Sequence, residues 1–158
     1  MIRQIKAKDK QKFIHYCQKS DKYNDFYIIK NNNKLFLNNL KHATLCANEA
    51  LKKGNKIFIA EENNEIIGVI LILGYVDKSP RKYIHFLTDN DKVTKNLLKF
   101  LFWTIDLDVY IKIKSNNPLK RILEKSYFKK ITTRENEDLY IHKRFIKRIK
   151  KDGNRYHK

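Results

Sequence analysis

The sequence predicts a mixed α/β fold, one sheet of about seven strands with helices on both faces. Two stretches carry that expectation. In Val109–Phe128 a β-branched run stops at Ser115-Asn116-Asn117-Pro118 and a short amphipathic helix begins at once. Leu119, Ile122 and Leu123 share one side of that helix, and Lys120, Arg121 and Lys125 face away. The second is Ile57–Ala60, polar Glu61–Glu65 and Ile66–Leu73, the clearest hairpin in the chain. A length of 158 residues, 42% of them apolar, suits a single domain with a real core, taken as residues 1–144 with a basic tail over 145–158.

The remaining elements follow in chain order. Ile2 and Ile5 mark a first strand, and Asp9 is placed to cap a helix carrying Phe13, Ile14, Tyr16 and Cys17. Tyr23–Leu40 is polar and aromatic, with a turn at Asn31-Asn32-Asn33, and a second helix over Leu40–Leu51 ends at Gly54. Within the hairpin, Gly68 permits a bulge or close packing. Arg81–Thr88 is the next strand, and Asp91–Thr104 a helix with Leu97, Leu98, Leu101 and Phe102 at core spacing. Leu107–Ile113, Lys129–Thr133 and Asp138–His142 complete the sheet.

The terminal unit resembles the GNAT superfamily of acyl-CoA-dependent N-acyltransferases, whose last βαβ unit commonly reads N-x-x-A-x-x-L-Y-E-K-x-G-F. Asn116, Leu119, Ile122, Leu123, Glu124, Lys125, Tyr127 and Phe128 stand at those positions. Asn, Glu-Lys and Phe agree. Leu119 replaces the small residue, Leu123 the Tyr that often serves as general acid, and Tyr127 the Gly. The Ile66-Ile67-Gly68-Val69 element likewise resembles the family's second and third strands. The resemblance implies a sheet splayed between Arg81–Thr88 and Leu107–Ile113, with acyl-CoA, most simply acetyl-CoA, as co-substrate and an amine as acceptor.

In that family a loop Q/R-x-x-G-x-G/A sets bare backbone N–H groups against the CoA pyrophosphate at a helix N-terminus. Here the loop reads Asp89-Asn90-Asp91-Lys92-Val93-Thr94-Lys95-Asn96 and has no glycine. The resemblance places the pantetheine at the Leu87 and Thr88 backbone, the phosphates at Lys92, Thr94 and Lys95, and a cofactor contact at Asn116. Asp91 is the helix cap on the plainer reading, as Asn116 is a strand-ending residue before Pro118. His85 is the candidate base, because its pKa suits proton transfer and the acyl group would lie beside its strand. Tyr127 is the candidate acid in place of Leu123. Each has an alternative as a packed side chain, as do His42 and Tyr110 near the expected cleft.

The charge is +18, yet only seven of thirty-five basic residues are Arg, and Lys, Asn and Ile are what A+T-rich codons supply. Codon composition is therefore an alternative source for part of the charge. The tail, with Phe145, Ile146 and Ile149 on one side and Lys or Arg around the rest, suits nucleic acid or an acidic partner. That supports a second reading, a catalytically silent module of the same fold that binds a polyanion. Cys17 and Cys46 read as reduced core thiols, and no Cys or His spacing suggests a metal site. With no apolar run of membrane length and no secretory leader, the protein is expected to be cytoplasmic.

Overall fold

Near-continuous apolar runs such as Ile57–Ala60 and Tyr83–Leu87 build strands that bury both faces, and in the computed structural model these join into one seven-stranded sheet. The structure describes residues 1–19, 26–52, 56–74, 82–104 and 108–143. The order of elements is β1 (Ile2–Gln4), a 3-10 turn (Ala7–Asp9), α1 (Lys10–Lys19), β2 (Tyr27–Lys30), β3 (Asn33–Phe36), α2 (Leu40–Lys52), β4 (Lys56–Glu62) and β5 (Glu65–Gly74). Then come β6 (Lys82–Thr88), α3 (Asp91–Thr104), β7 (Val109–Lys114), α4 (Lys120–Lys125), β8 (Lys129–Arg134) and β9 (Glu137–His142). The sheet runs β1-β4-β5-β6-β7-β9-β8, and β2-β3 form a separate ribbon. Every pairing is antiparallel except β6 with β7.

The pleat separates two cores. Ile57, Ile59, Val69, Leu71, Tyr83 and Leu87 face α1 and α2, where Phe13, Cys17, Ala43 and Ala47 meet them. Phe58, Ile70, Ile84, Phe86, Ile111 and Ile113 face α3 and α4, covered by Leu97, Leu98, Leu101, Ile122 and Leu123. Both cysteines are free and lie in the first core. Burial pushes the Cys46 thiol up to about 12, and Cys17 rises for the same reason, so neither is a ready nucleophile.

Several expectations need correction. The Tyr23–Leu40 stretch holds more than the expected turn; from Tyr27 it is a hairpin, whose Asn31-Asn32 turn has both residues at positive φ, 51° and 65°. Asn63-Asn64 (54°, 65°) and Glu135-Asn136 (51°, 66°) repeat that geometry. Type I′ turns match strand twist and require such angles, which Asn tolerates best after Gly. Asp9 lies in the 3-10 turn rather than capping α1. Its carboxylate accepts the Lys6 N–H at 2.8 Å and both arms of Arg3 at 2.7 Å, while Arg3 Nε reaches Glu61 at 2.7 Å. Glu61, at the polar end of the hairpin, is therefore engaged in an ion pair. Residues 54, 81, 107 and 144–158, including the basic tail and its proposed contact with nucleic acid, lie outside the described residues.

Candidate active site

The site begins where two strands part. Among the described residues, β6 and β7 pair at Lys82↔Val109 and Tyr83↔Tyr110 alone. β6 keeps its ladder with β5 without a break from Gly74↔Lys82 to Gly68↔Thr88. The Asp89 N–H bonds the Ile67 carbonyl at 2.9 Å, which fixes the alternation: odd-numbered backbone groups of β6 turn to β5, and those of Phe86 and Thr88 turn to the gap. The expected Leu87 backbone contact is thus misplaced by one residue. Phe86 and Thr88 border the splay in its stead.

At the wide end of this gap α3 starts against β5. A Cβ on Gly68 would lie 2.5 Å from Val93 Cγ1, so the absence of a side chain there lets the helix approach. Beside it the register shifts between Ala60↔Gly68 and Glu61↔Ile66, leaving Ile67 as a bulge. The Ile67 carbonyl also accepts the Tyr16 hydroxyl at 2.9 Å, and that hydroxyl lies 2.9 Å from Asp89 Oδ1. Burial, then Asp89, raises the Tyr16 pKa far above its ordinary value. Tyr16 remains a neutral donor, and Asp89 is tied to α1.

The loop that would receive a pyrophosphate is built differently from the sequence expectation. Asn90, not Asp91, caps α3, its Oδ1 accepting the Val93 N–H at 3.0 Å. Thr94 is fully buried, and its hydroxyl lies 2.6 Å from that of Thr88 and 3.2 Å from the Asn90 carbonyl. The Thr88–Thr94 pair locks strand to helix, so neither hydroxyl is presented to a phosphate. Lys92 and Lys95 are exposed on the first turns of α3, as a phosphate contact requires. The first-turn N–H groups of Asp91 and Lys92 complete what this end offers an anion, against the carboxylate of Asp91.

The α1/α2 side of the splay holds a second feature. A hollow of about 580 Å³ is walled by Tyr27, Lys34 and Phe36 of the β2-β3 ribbon and by Lys114, Ser115, Asn116 and Glu137 across from them. Tyr27 and Phe36 meet edge to face at 5.5 Å, and Lys34 Nζ lies 2.8 Å from Glu137 Oε2. A neighbouring hollow of about 530 Å³ shares Glu135 and Glu137 and adds Tyr83, Lys112 and Arg134. Tyr27 also touches His85, ring centroids 4.5 Å apart. The first hollow thus joins β6, through Tyr27, to the end of β7.

The proposed catalytic pair does not come together. His85 is 3% exposed on the α1/α2 side, behind Tyr27. Tyr127 follows α4, which packs on the opposite side, and is 56% exposed with φ 70°. Phe128 N–H bonds Leu123 carbonyl at 2.9 Å and Tyr127 N–H bonds Glu124 carbonyl at 3.4 Å, so Tyr127 is the left-handed residue of a Schellman cap. It fills a glycine's backbone position, which explains its place in the motif without acid chemistry. Glu124 accepts the buried Tyr140 hydroxyl at 3.1 Å, and burial pushes that phenol up to about 12.

Asn116 is exposed and lines the 580 Å³ hollow, whereas Asn117 is buried and accepts the Leu119 N–H at 2.9 Å. His42 ties α2 to β3 by donating from Nδ1 to the Phe36 carbonyl at 2.9 Å, and half-buried Tyr110 stacks near Tyr83 at 5.7 Å. Sequence reasoning missed Tyr27, Lys34, Phe36 and Glu137. Only the Asn31-Asn32 turn flanked by aromatic and β-branched residues signalled the first three. Among the described residues, no three His, Cys, Asp or Glu side chains gather to hold a metal, and no helix is long and apolar enough to cross a membrane.

No family model matches the chain, and no curated protein matches its sequence. Solved structures do. An N-acetyltransferase from Staphylococcus aureus Mu50 aligns with TM-score 0.67 at 13% identity, covering 92% of this chain and 97% of that one. The GNAT domain of S. lividans PAT aligns at 0.70 with 11% identity over 90% and 89%. The ribosomal-protein-S5-alanine acetyltransferase of Vibrio fischeri aligns at 0.66 with 11% identity over 90% and 92%. The chain has the GNAT fold, as the terminal unit and the hairpin led one to expect.

Proposed function

We propose that this chain is an N-acyltransferase that moves an acyl group, in the simplest case acetyl, from acyl-CoA to a primary amine. The observation that carries the proposal is the splay. β6 leaves β7 after two paired positions, and the backbone of Phe86 and Thr88 faces the gap whose wide end meets the exposed Lys92 and Lys95. An extended pantetheine can hydrogen-bond such a strand edge as a further strand would. The likeness to acetyltransferase structures over nine-tenths of the chain supports the same reading.

In this reading the amine nitrogen attacks the thioester carbonyl carbon, the C–S bond breaks, and the amine proton leaves while the departing thiolate takes one up. A β6 N–H facing the gap would stabilise the developing oxyanion. Lys92 and Lys95 would neutralise the phosphates, and Asn116 would sit where acceptor and acyl donor meet. His85 is the proposed proton acceptor. Because Tyr27 separates it from the hollow, the Tyr27 hydroxyl is proposed as the group through which the proton passes.

Calorimetric titration with acetyl-CoA, paired with thiol release in the presence of primary amines, tests the proposal. At about five times Kd a ligand stabilises the fold by roughly 1 kcal/mol. His85→Gln should then reduce turnover by about 10²-fold or more with acetyl-CoA binding retained. One feature favours the silent module that binds a polyanion: the phosphate loop lacks glycine, and the Asn90 side chain already takes one of its donors. A flat titration and no thermal shift at millimolar acetyl-CoA would decide for that reading.

A further inference from the structure

The geometry points to the hollow beneath the β2-β3 ribbon as a receptor for a linear primary alkylammonium, now filled by the chain's own Lys34. This deepens the acyltransferase reading and rests on it for the identity of the acceptor, but the receptor itself is testable without any acyl donor.

The Lys34 ammonium is held between two partners of different kinds. Glu137 Oε2 lies 2.8 Å from Nζ, and the Tyr27 ring presents its face to the same nitrogen with its centroid 4.9 Å away. A carboxylate with an aromatic face is how proteins recognise an alkylammonium, the ring quadrupole and the charge acting together. Tyr27 is buried and packed between Phe36 and His85, so its ring is a fixed wall. Lys34 is different. Its side chain is 40% exposed, on a short ribbon outside the main sheet, and its ion pair reaches across 103 residues to β9.

An exposed ion pair of this kind is worth little to the fold, about 0–1 kcal/mol, so a competing ammonium can displace the lysine cheaply. The hollow beyond it has room for a chain of several methylenes and is lined by Asn116 at the end of β7. A long flexible ω-amine, such as a lysine side chain or a diamine, matches the group already seated there. A bulky branched or tertiary ammonium is a poorer match to the linear group seated there.

The test is rescue by a small amine. Lys34→Ala removes the resident ammonium and leaves Tyr27 and Glu137 in place. Titrating ¹⁵N-labelled Lys34→Ala with n-butylammonium chloride, against sodium chloride at equal ionic strength, should give saturable shifts at the Tyr27, Phe36 and Glu137 amides. Binding should be tighter than in the wild type by up to about fivefold, the factor by which a tethered ion pair worth about 0–1 kcal/mol competes. Lys34→Ala with Glu137→Gln should abolish it, and tert-butylammonium should bind more weakly.

Lys34→Ser, with the same hollow and a more soluble surface, serves if the alanine variant is poorly behaved. No saturable shift in either variant, or the same shift with Glu137→Gln present, overturns the receptor. Saturable binding without acyl transfer to n-butylamine keeps the receptor and refutes the transferase reading. Saturable binding with transfer whose KM falls on Lys34→Ala supports both.

Discussion

Replacing Tyr127 by glycine should leave a more stable protein than replacing it by alanine, although both remove the ring. Tyr127 sits at φ 70°, the second residue past α4, with the Phe128 and Tyr127 N–H groups closing the helix end onto Leu123 and Glu124. A residue with a Cβ pays about 1 kcal/mol or more in that region, and glycine does not. The ring is 56% exposed, so its removal forfeits the buried remainder, worth about 2 kcal/mol, in any small-residue variant. Tyr127→Ala is the necessary control, because it removes the ring and all its contacts while keeping the Cβ. The Gly variant should be about 1 kcal/mol more stable than the Ala variant. With a urea m-value of about 2 kcal/mol/M that separates their midpoints by roughly 0.5 M, and their Tm values by about 2–4 °C. Equal midpoints, or Ala above Gly, would refute the assignment of Tyr127 to a backbone role. Consistently, Tyr127→Phe should leave any acyl transfer unchanged.

The junction between β6 and α3 supplies further predictions. Thr94→Val strands the buried Thr88 hydroxyl and should cost about 1–3 kcal/mol by urea unfolding, with Thr88→Val/Thr94→Val recovering part of it. Gly68→Ala drives a methyl into Val93 Cγ1 and should cost about 1–3 kcal/mol, relieved by Val93→Ala in the same chain. Acid should weaken the fold through two carboxylates. Asp9 is held below its ordinary pKa first by hydrogen bonds from Arg3, and Asp138 first by Thr133 and then by Ser115. Their contributions are complete above the unfolded carboxylate value of about 3.9 and are lost as pH falls from there through the lowered folded values, because the unfolded chain takes up protons first. Urea midpoints from pH 6 to pH 2 should therefore fall less steeply in Asp138→Asn than in the wild type.

What the sequence made legible was periodic. The apolar runs Ile57–Ala60 and Ile66–Ile72 around their polar turn, and the helical spacing of Leu119, Ile122 and Leu123, each survive as buried surface, because burial selects the same residues that patterning reveals. The β2-β3 ribbon escaped because its strands are four residues each and its turn is Asn-Asn, a weaker signal than Asn-Gly. The candidate site was legible only by strand. His85 was placed correctly on β6, but what faces it depends on Tyr27, 58 residues earlier, and no local pattern encodes that contact. At the α3 start, composition named the right polar residues and misassigned their work. Whether Asn90 or Asp91 caps, and whether Thr94 faces a ligand or Thr88, turns on one residue of helix phase.

The most direct test of the central claim is an amide ¹H–¹⁵N titration of the wild-type chain with acetyl-CoA. An acyl donor in the splay should shift the amides of Phe86, Thr88, Asp91 and Lys92 in one saturable process, and Lys92→Ala with Lys95→Ala should weaken it by about tenfold or more. The β1-β4 edge, on the far side of the sheet, should stay still. Shifts that are absent at millimolar ligand, or that gather away from β6 and α3 and persist without those lysines, would contradict an acyltransferase built around this splay.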